Sequence, residues 1–132
     1  MDSMQEIFGD PISTYSRAQA IADGALVDLT PWARETGFRF PVAITRAAWE
    51  SFIAWPAEDR QYGQSERGRA HDVLFVLLCT IRAEQGGERV DFMVSRIIKG
   101  APEEAKPGAL YTLCGPGDDA APCITILLPE ED

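Results

Sequence analysis

Seven apolar residues in a row, Val73 to Cys79, limit the folds open to this chain more than any other segment. The run is far short of the roughly 20 residues that cross a bilayer. It lies inside a longer stretch, Arg69 to Gln85, that contains no proline or glycine. A buried strand would read the same over seven positions, but the stretch with its flanks is too long for one, and the spacing predicts a helix. Val73, Leu74, Leu77, Leu78 and Ile81 then form one face, while Phe75, Val76 and Cys79 make the helix apolar nearly all round. A helix of that kind is stable only as a pillar with the rest of the chain packed against it. At 132 residues and 45% hydrophobic composition, the chain has enough length and apolar surface for one such domain.

Local signals place the other elements. Residues 1–10 read as a loose N-terminal arm. Ser16-Arg17-Ala18-Gln19 has the form of a capping box, and the helix it opens should stop at Gly24. Ala25 to Leu29 is a short strand candidate, and Thr30-Pro31 reads as a cap followed by proline at the first helical position, with Gly37 ending that turn. From Phe38 to Thr45 alternate residues are apolar, though Pro41 suits an edge strand or an extension outside the sheet. Thr45 caps a helix expected from Arg46 to Trp55, with Trp49, Phe52 and Ile53 as its apolar stripe and Pro56 closing it. Ala57 to Gly68 is polar and reads as a long mobile loop. After Gly86-Gly87, strands are expected at Arg89–Ile98, Leu110–Cys114 and Cys123–Leu128, the last two joined by Gly115-Pro116-Gly117-Asp118-Asp119. The expected fold is a single α+β domain over residues 1–132. Three main helices, one nearly fully buried, pack on a mainly antiparallel sheet that ends in a three-stranded meander.

The chain carries a net charge of −9, and it is unevenly spread: residues 101–132 hold seven acids against one base, Lys106. Because apolar strand candidates run through the same region, these acids should decorate folded structure. Glu103, Glu104, Asp118, Asp119, Glu130, Glu131 and Asp132 are therefore the candidate partner-binding residues, forming an acidic face suited to a protein with a basic surface. The same charge disfavours direct contact with nucleic acid.

Catalytic signatures are sparse. His71 is the sole histidine. Its neighbour Asp72 points about 100° away on a helix, so the two do not make a preformed dyad, and a nucleophile would have to come from Cys79, Cys114 or Cys123 in space. Cys114 and Cys123 flank the last turn, where they either face each other or serve as small core residues. One histidine and three scattered cysteines lack metal-ligand spacing, so no metal and no cofactor is expected. The Gly115–Asp119 loop has a proline where a phosphate cradle needs an amide, and two carboxylates that would repel phosphate; it reads as a hairpin turn. Three cysteines form no closed disulfide framework and no apolar leader is visible, which points to a cytoplasmic protein without a membrane span.

Three stretches carry a resemblance: Phe8 to Ile12 with Tyr15 to Asp28; Gly115-Pro116-Gly117-Asp118-Asp119; and Ile124 to Asp132. Together they resemble a family of small uncharacterised proteins from bacterial plasmids and other mobile elements. The resemblance implies a bacterial accessory protein and assigns no residue a role. Two functions are carried forward. One is a non-enzymatic accessory protein that works by protein–protein interaction through its acidic face, such as an inhibitor of host defence of the anti-CRISPR or anti-restriction type. The other is a small hydrolase or transferase with a pocket near His71 and the tryptophans.

Overall fold

The computed structural model describes residues 16–58, 63–84, 87–98 and 101–131, with only the backbone described at 101–104. The expected N-terminal arm lies outside the described residues. The elements are α1 (Arg17–Asp23), β1 (Leu26–Asp28), α2 (Thr30–Thr36), β2 (Val42–Thr45), α3 (Arg46–Phe52), α4 (Glu66–Glu84), β3 (Arg89–Ile98), β4 (Ala101–Pro116) and β5 (Pro122–Leu127). The architecture is α+β; among the described residues there are four helices, where three main ones were expected because Thr30–Thr36 read only as a short turn, and one five-stranded sheet in the order β1-β2-β5-β4-β3. No helix among the described residues is long and apolar enough to cross a membrane.

The helix ends follow the local chemistry. The Ser16 hydroxyl accepts from the Gln19 amide at 2.9 Å, and Gly24 closes α1 at φ 84°, where a side chain would be strained. The Thr45 hydroxyl caps α3 by accepting from the Ala48 amide at 3.2 Å. Thr30 does not cap α2. Leu29 occupies that position, and the Thr30 hydroxyl instead ties α2 to β2, accepting from the Val42 amide at 3.1 Å and donating to the Val42 carbonyl at 3.3 Å. Helix α3 stops at Phe52, three residues short of Trp55, with Ile53 as its C-cap.

The meander is present: β3 pairs antiparallel with β4, and β4 with β5. Two expectations about the sheet need correction. It is mixed, because β2 runs parallel to β5, with Val42 opposite Ile124 and Ile44 opposite Ile126. Accordingly β2 is an interior strand, and β5, last in the chain, is the central one. Pro41 is tolerated because the strand begins one residue after it, and its carbonyl still accepts from the Ile124 amide at 2.9 Å. Strand β4 also begins well before Leu110, at Ala101.

Helix α4 begins at Glu66, so the polar segment before it is shorter than expected, and residues 59–62 of that segment lie outside the described residues. The helix is not buried all round. Val73, Leu74 and Leu77 are fully enclosed, whereas Phe75 is 52% exposed and Cys79 is exposed. One face is enough because α4 lies across β3 with α2 beside it, and Phe75 and Cys79 are turned away from both. The core it seals contains Leu29, Val42, Ile44, Phe52, Ile53, Val90, Phe92, Leu110, Ile124 and Ile126.

Candidate functional site

The candidate acids fall at different places along the last two strands. Asp118 and Asp119 lie in the β4–β5 turn, and Glu130 and Glu131 follow the far end of β5. Six residues of extended chain separate the two pairs by about 20 Å. Glu103 and Glu104 belong to the start of β4, with side chains outside the described part, and Asp132 lies outside the described residues. The described acids therefore stand as two separate pairs, one beyond each end of β5.

Within each pair one carboxylate is committed to the fold. Asp118 caps α1 from about a hundred residues away: Oδ1 accepts from the Arg17 amide at 2.7 Å and Oδ2 from the Ala18 amide at 3.0 Å. These amide bonds, from Ala18 and then Arg17, hold the Asp118 carboxyl below its usual range. Arg17 reaches in the opposite sense, donating to the Thr125 hydroxyl and the Ile124 carbonyl, both at 2.6 Å, so that α1 and β5 are clamped together. Glu131 is similarly engaged. Its Oε1 accepts from the Thr45 hydroxyl at 2.7 Å and the Leu128 amide at 2.8 Å, and its carbonyl accepts from the Tyr111 hydroxyl. Asp119 and Glu130 are exposed. Among the described residues Asp119 accepts from the nearby Ala121 amide alone, at 3.1 Å, and no basic side chain forms an ion pair with either.

His71 lines a cleft of about 610 Å³ between α2 and the start of α4, together with Trp32, Ser65 and Arg67. The Arg67 guanidinium spans from α4 to Glu35 of α2 at 2.6 Å. The His71 ring is stacked on Phe75, with centroids 5.8 Å apart, and its Nδ1 lies 3.8 Å from the Asp72 carboxylate. Eight residues of helix, about 12 Å of rise, separate it from Cys79. The other two cysteines are on the sheet, and all three are free. Cys114 and Cys123 do not face each other. Their strand register pairs Cys114 with Ile124 and Cys123 with Gly115, which turns the two sulfurs to opposite faces. No group of three or more His, Cys, Asp or Glu side chains able to hold a metal ion occurs among the described residues.

A cluster that periodicity did not single out lies at the same end of α4, on its buried side. Arg69 is only 6% exposed. Its Nε donates to the Ile53 carbonyl at 3.1 Å, its Nη1 to the Gln64 side chain and the Ile97 carbonyl, both at 2.9 Å, and its guanidinium sits 5.0 Å from the centre of the Trp55 ring. Arg96, on β3, stacks over Phe52 at 4.2 Å. Gly108 of β4 makes room for that stack, since a Cβ there would stand 2.5 Å from Arg96 Nη1 and 2.6 Å from Phe52 Cζ. Burial lowers the pKa of both arginines, and for Arg69 the charge of Arg96 adds to the effect while Asp72 opposes it. A signal was available in the sequence: Arg69 stands four residues before Val73, on the apolar face of the helix, where a cation needs a reason to be.

Comparison with known proteins found no matching curated protein and no matching solved structure. A model built for a family of unknown function, DUF6573, matches residues 4–132, nearly the whole chain, and the protein belongs to that family.

Proposed function

We propose that this chain is a non-enzymatic accessory protein of a bacterial mobile element, working in the cytoplasm by binding a protein with a basic surface. An inhibitor of a nucleic-acid-processing defence complex of the anti-CRISPR or anti-restriction type fits that chemistry. Carboxylates held on a rigid frame can displace counterions from a groove built for phosphates. The observation that carries the reading is the division of labour among the acids. Asp118 and Glu131 fasten the two ends of β5 to α1 and β2–α3, so that Asp119 and Glu130 beside them stand exposed and unpaired with any described base. The net charge of −9 supplies the long-range attraction. Glu103, Glu104 and Asp132 extend the same acidic set along the chain.

The test is capture of host proteins by the wild-type chain and by an Asp119→Lys/Glu130→Lys variant, at low and high salt. Glu131 is left intact, because its loss would disturb the Thr45 cap as well as the charge. A basic, nucleic-acid-processing protein released by salt and lost in the variant is the expected outcome. Capture that persists unchanged in the variant rules out the electrostatic mechanism. A second reading, a small hydrolase or transferase, is favoured by the cleft that His71 shares with Trp32. In the same preparations, a small molecule that co-purifies with wild type and is lost in His71→Ala would support it.

A further inference from the structure

We infer that Arg69 and Arg96 form a receptor for a single oxyanion, carboxylate or phosphate, carried by a small molecule with an apolar or aromatic body. The two guanidiniums are close enough for the charge of one to depress the pKa of the other, yet every acceptor they touch among the described residues is neutral: the backbone carbonyls of Ile53, Ile97, Lys106 and Ser51, the Ser51 hydroxyl and the Gln64 amide. Among the described residues no carboxylate lies within ion-pair distance of either. Glu66 and Asp72 stand three residues to either side of Arg69 in sequence; Glu66 already accepts from the Trp55 amide at 3.2 Å, and Asp72 acts on Arg69 through its charge without an ion-pair contact. A cation withdrawn from water beside a like charge is costly unless an opposite charge compensates it.

The two arginines differ in how firmly they are held. Arg69 makes three bonds of ordinary length and is a fixed wall of the site. The bonds of Arg96 are 3.3 to 3.4 Å, longer than the usual N–H···O range, so its donors can turn to a better acceptor at little loss. The space for that acceptor is present. A cavity of about 210 Å³ between α4 and β3 touches both arginines, several times the roughly 30 Å³ that one water occupies. A second, of about 540 Å³, also touches both and is lined by Trp49, Trp55 and Pro56. A ring lies over each guanidinium, Trp55 for Arg69 and Phe52 for Arg96, which directs an anion to their edges, where the loosely held donors of Arg96 can turn to it. Asp72 also lines the smaller cavity and offsets part of the positive charge, which suits one anionic group and not a polyanion. The tryptophans beside the larger cavity would take the apolar body. This site is separate from the acidic turn and terminus, and it stands whether or not those bind a partner.

The test is a titration of the full chain with inorganic phosphate and, separately, with acetate, at ionic strength held constant with chloride, followed through the arginine Nε–H resonances. Saturable shifts at Arg69 and Arg96 with either probe are expected, and the probe that saturates first identifies the oxyanion. Arg96→Gln should weaken binding by about tenfold or more, the loss of one charge-assisted contact. Arg89→Gln, which removes an exposed arginine stacked on Tyr111, should leave it unchanged. Wild-type resonances of Arg69 and Arg96 that fail to move with both probes, or equal affinity in Arg96→Gln, would overturn the proposal. The wild-type titration decides even if a variant folds poorly.

Discussion

Asp118 is exposed, yet it is a structural residue, because its carboxylate takes both amides at the start of α1. Since those bonds favour the charged form, its pKa in the folded state is below that of the unfolded chain, near 3.9. The stabilisation is therefore complete above that value and is lost as pH falls through the lower, folded pKa. The expected result is that Asp118→Ala melts below wild type at neutral pH and that the gap in Tm narrows progressively under acid, below about pH 4. A gap that is constant down to pH 2 would mean that the charge of Asp118 contributes nothing. Glu131 is the matching case at the other end of β5. By accepting from Thr45, it joins the chain's last segment to the same hydroxyl that caps α3. In both cases an acid that looks like free surface charge in the sequence is spoken for by a backbone or hydroxyl donor far away in the chain.

At the scale of the element, α4 shows how a helix rich in apolar residues on every side can still have an inside and an outside. Leu77 is fully enclosed in the core, whereas Phe75, two positions earlier, is more than half exposed. Leu77→Ala should cost about 2–5 kcal/mol in denaturant unfolding, by loss of transfer free energy and creation of a cavity. Phe75→Ala should stay within about 0.5 kcal/mol of wild type, as surface substitutions do. Comparable losses at both positions would show that something covers the outer face of α4 in solution. The long strand β3 has a similar asymmetry along its edge. The Cys114 amide donates to the Glu88 carbonyl, which fixes the alternation: even-numbered residues of β3 bond to β4, and odd-numbered ones turn outward. Arg69 uses one of those outward carbonyls, that of Ile97. The buried arginine thus partly covers a sheet edge as well as walling the proposed anion site.

For the whole molecule, the sheet order makes β5 the hub, with β2 parallel on one side and β4 antiparallel on the other. Amide exchange should reflect it. The amides of Ile124 and Ile126 should exchange only through global unfolding, while those of Asp91, Met93 and Ser95 on the β3 edge should exchange much faster. Equal protection at both sets would contradict this strand order. Much of the scaffold was legible in the chain. The Ser16 and Thr45 caps, the Gly24 stop, the apolar face of α4 and the bounds of β3 all rest on interactions spanning a few residues, which sequence spacing records directly. The parallel β2–β5 pair, the interior place of β2, the commitment of Asp118 and Glu131 to the fold, and the meeting of Arg69 with Arg96 were not legible. Each joins residues about 30 to 100 positions apart, and no local pattern encodes which distant segment will arrive. Short-range hydrogen bonding and periodicity fixed what the elements are; the burial of one shared core decided which of them are neighbours and which charges were left facing water.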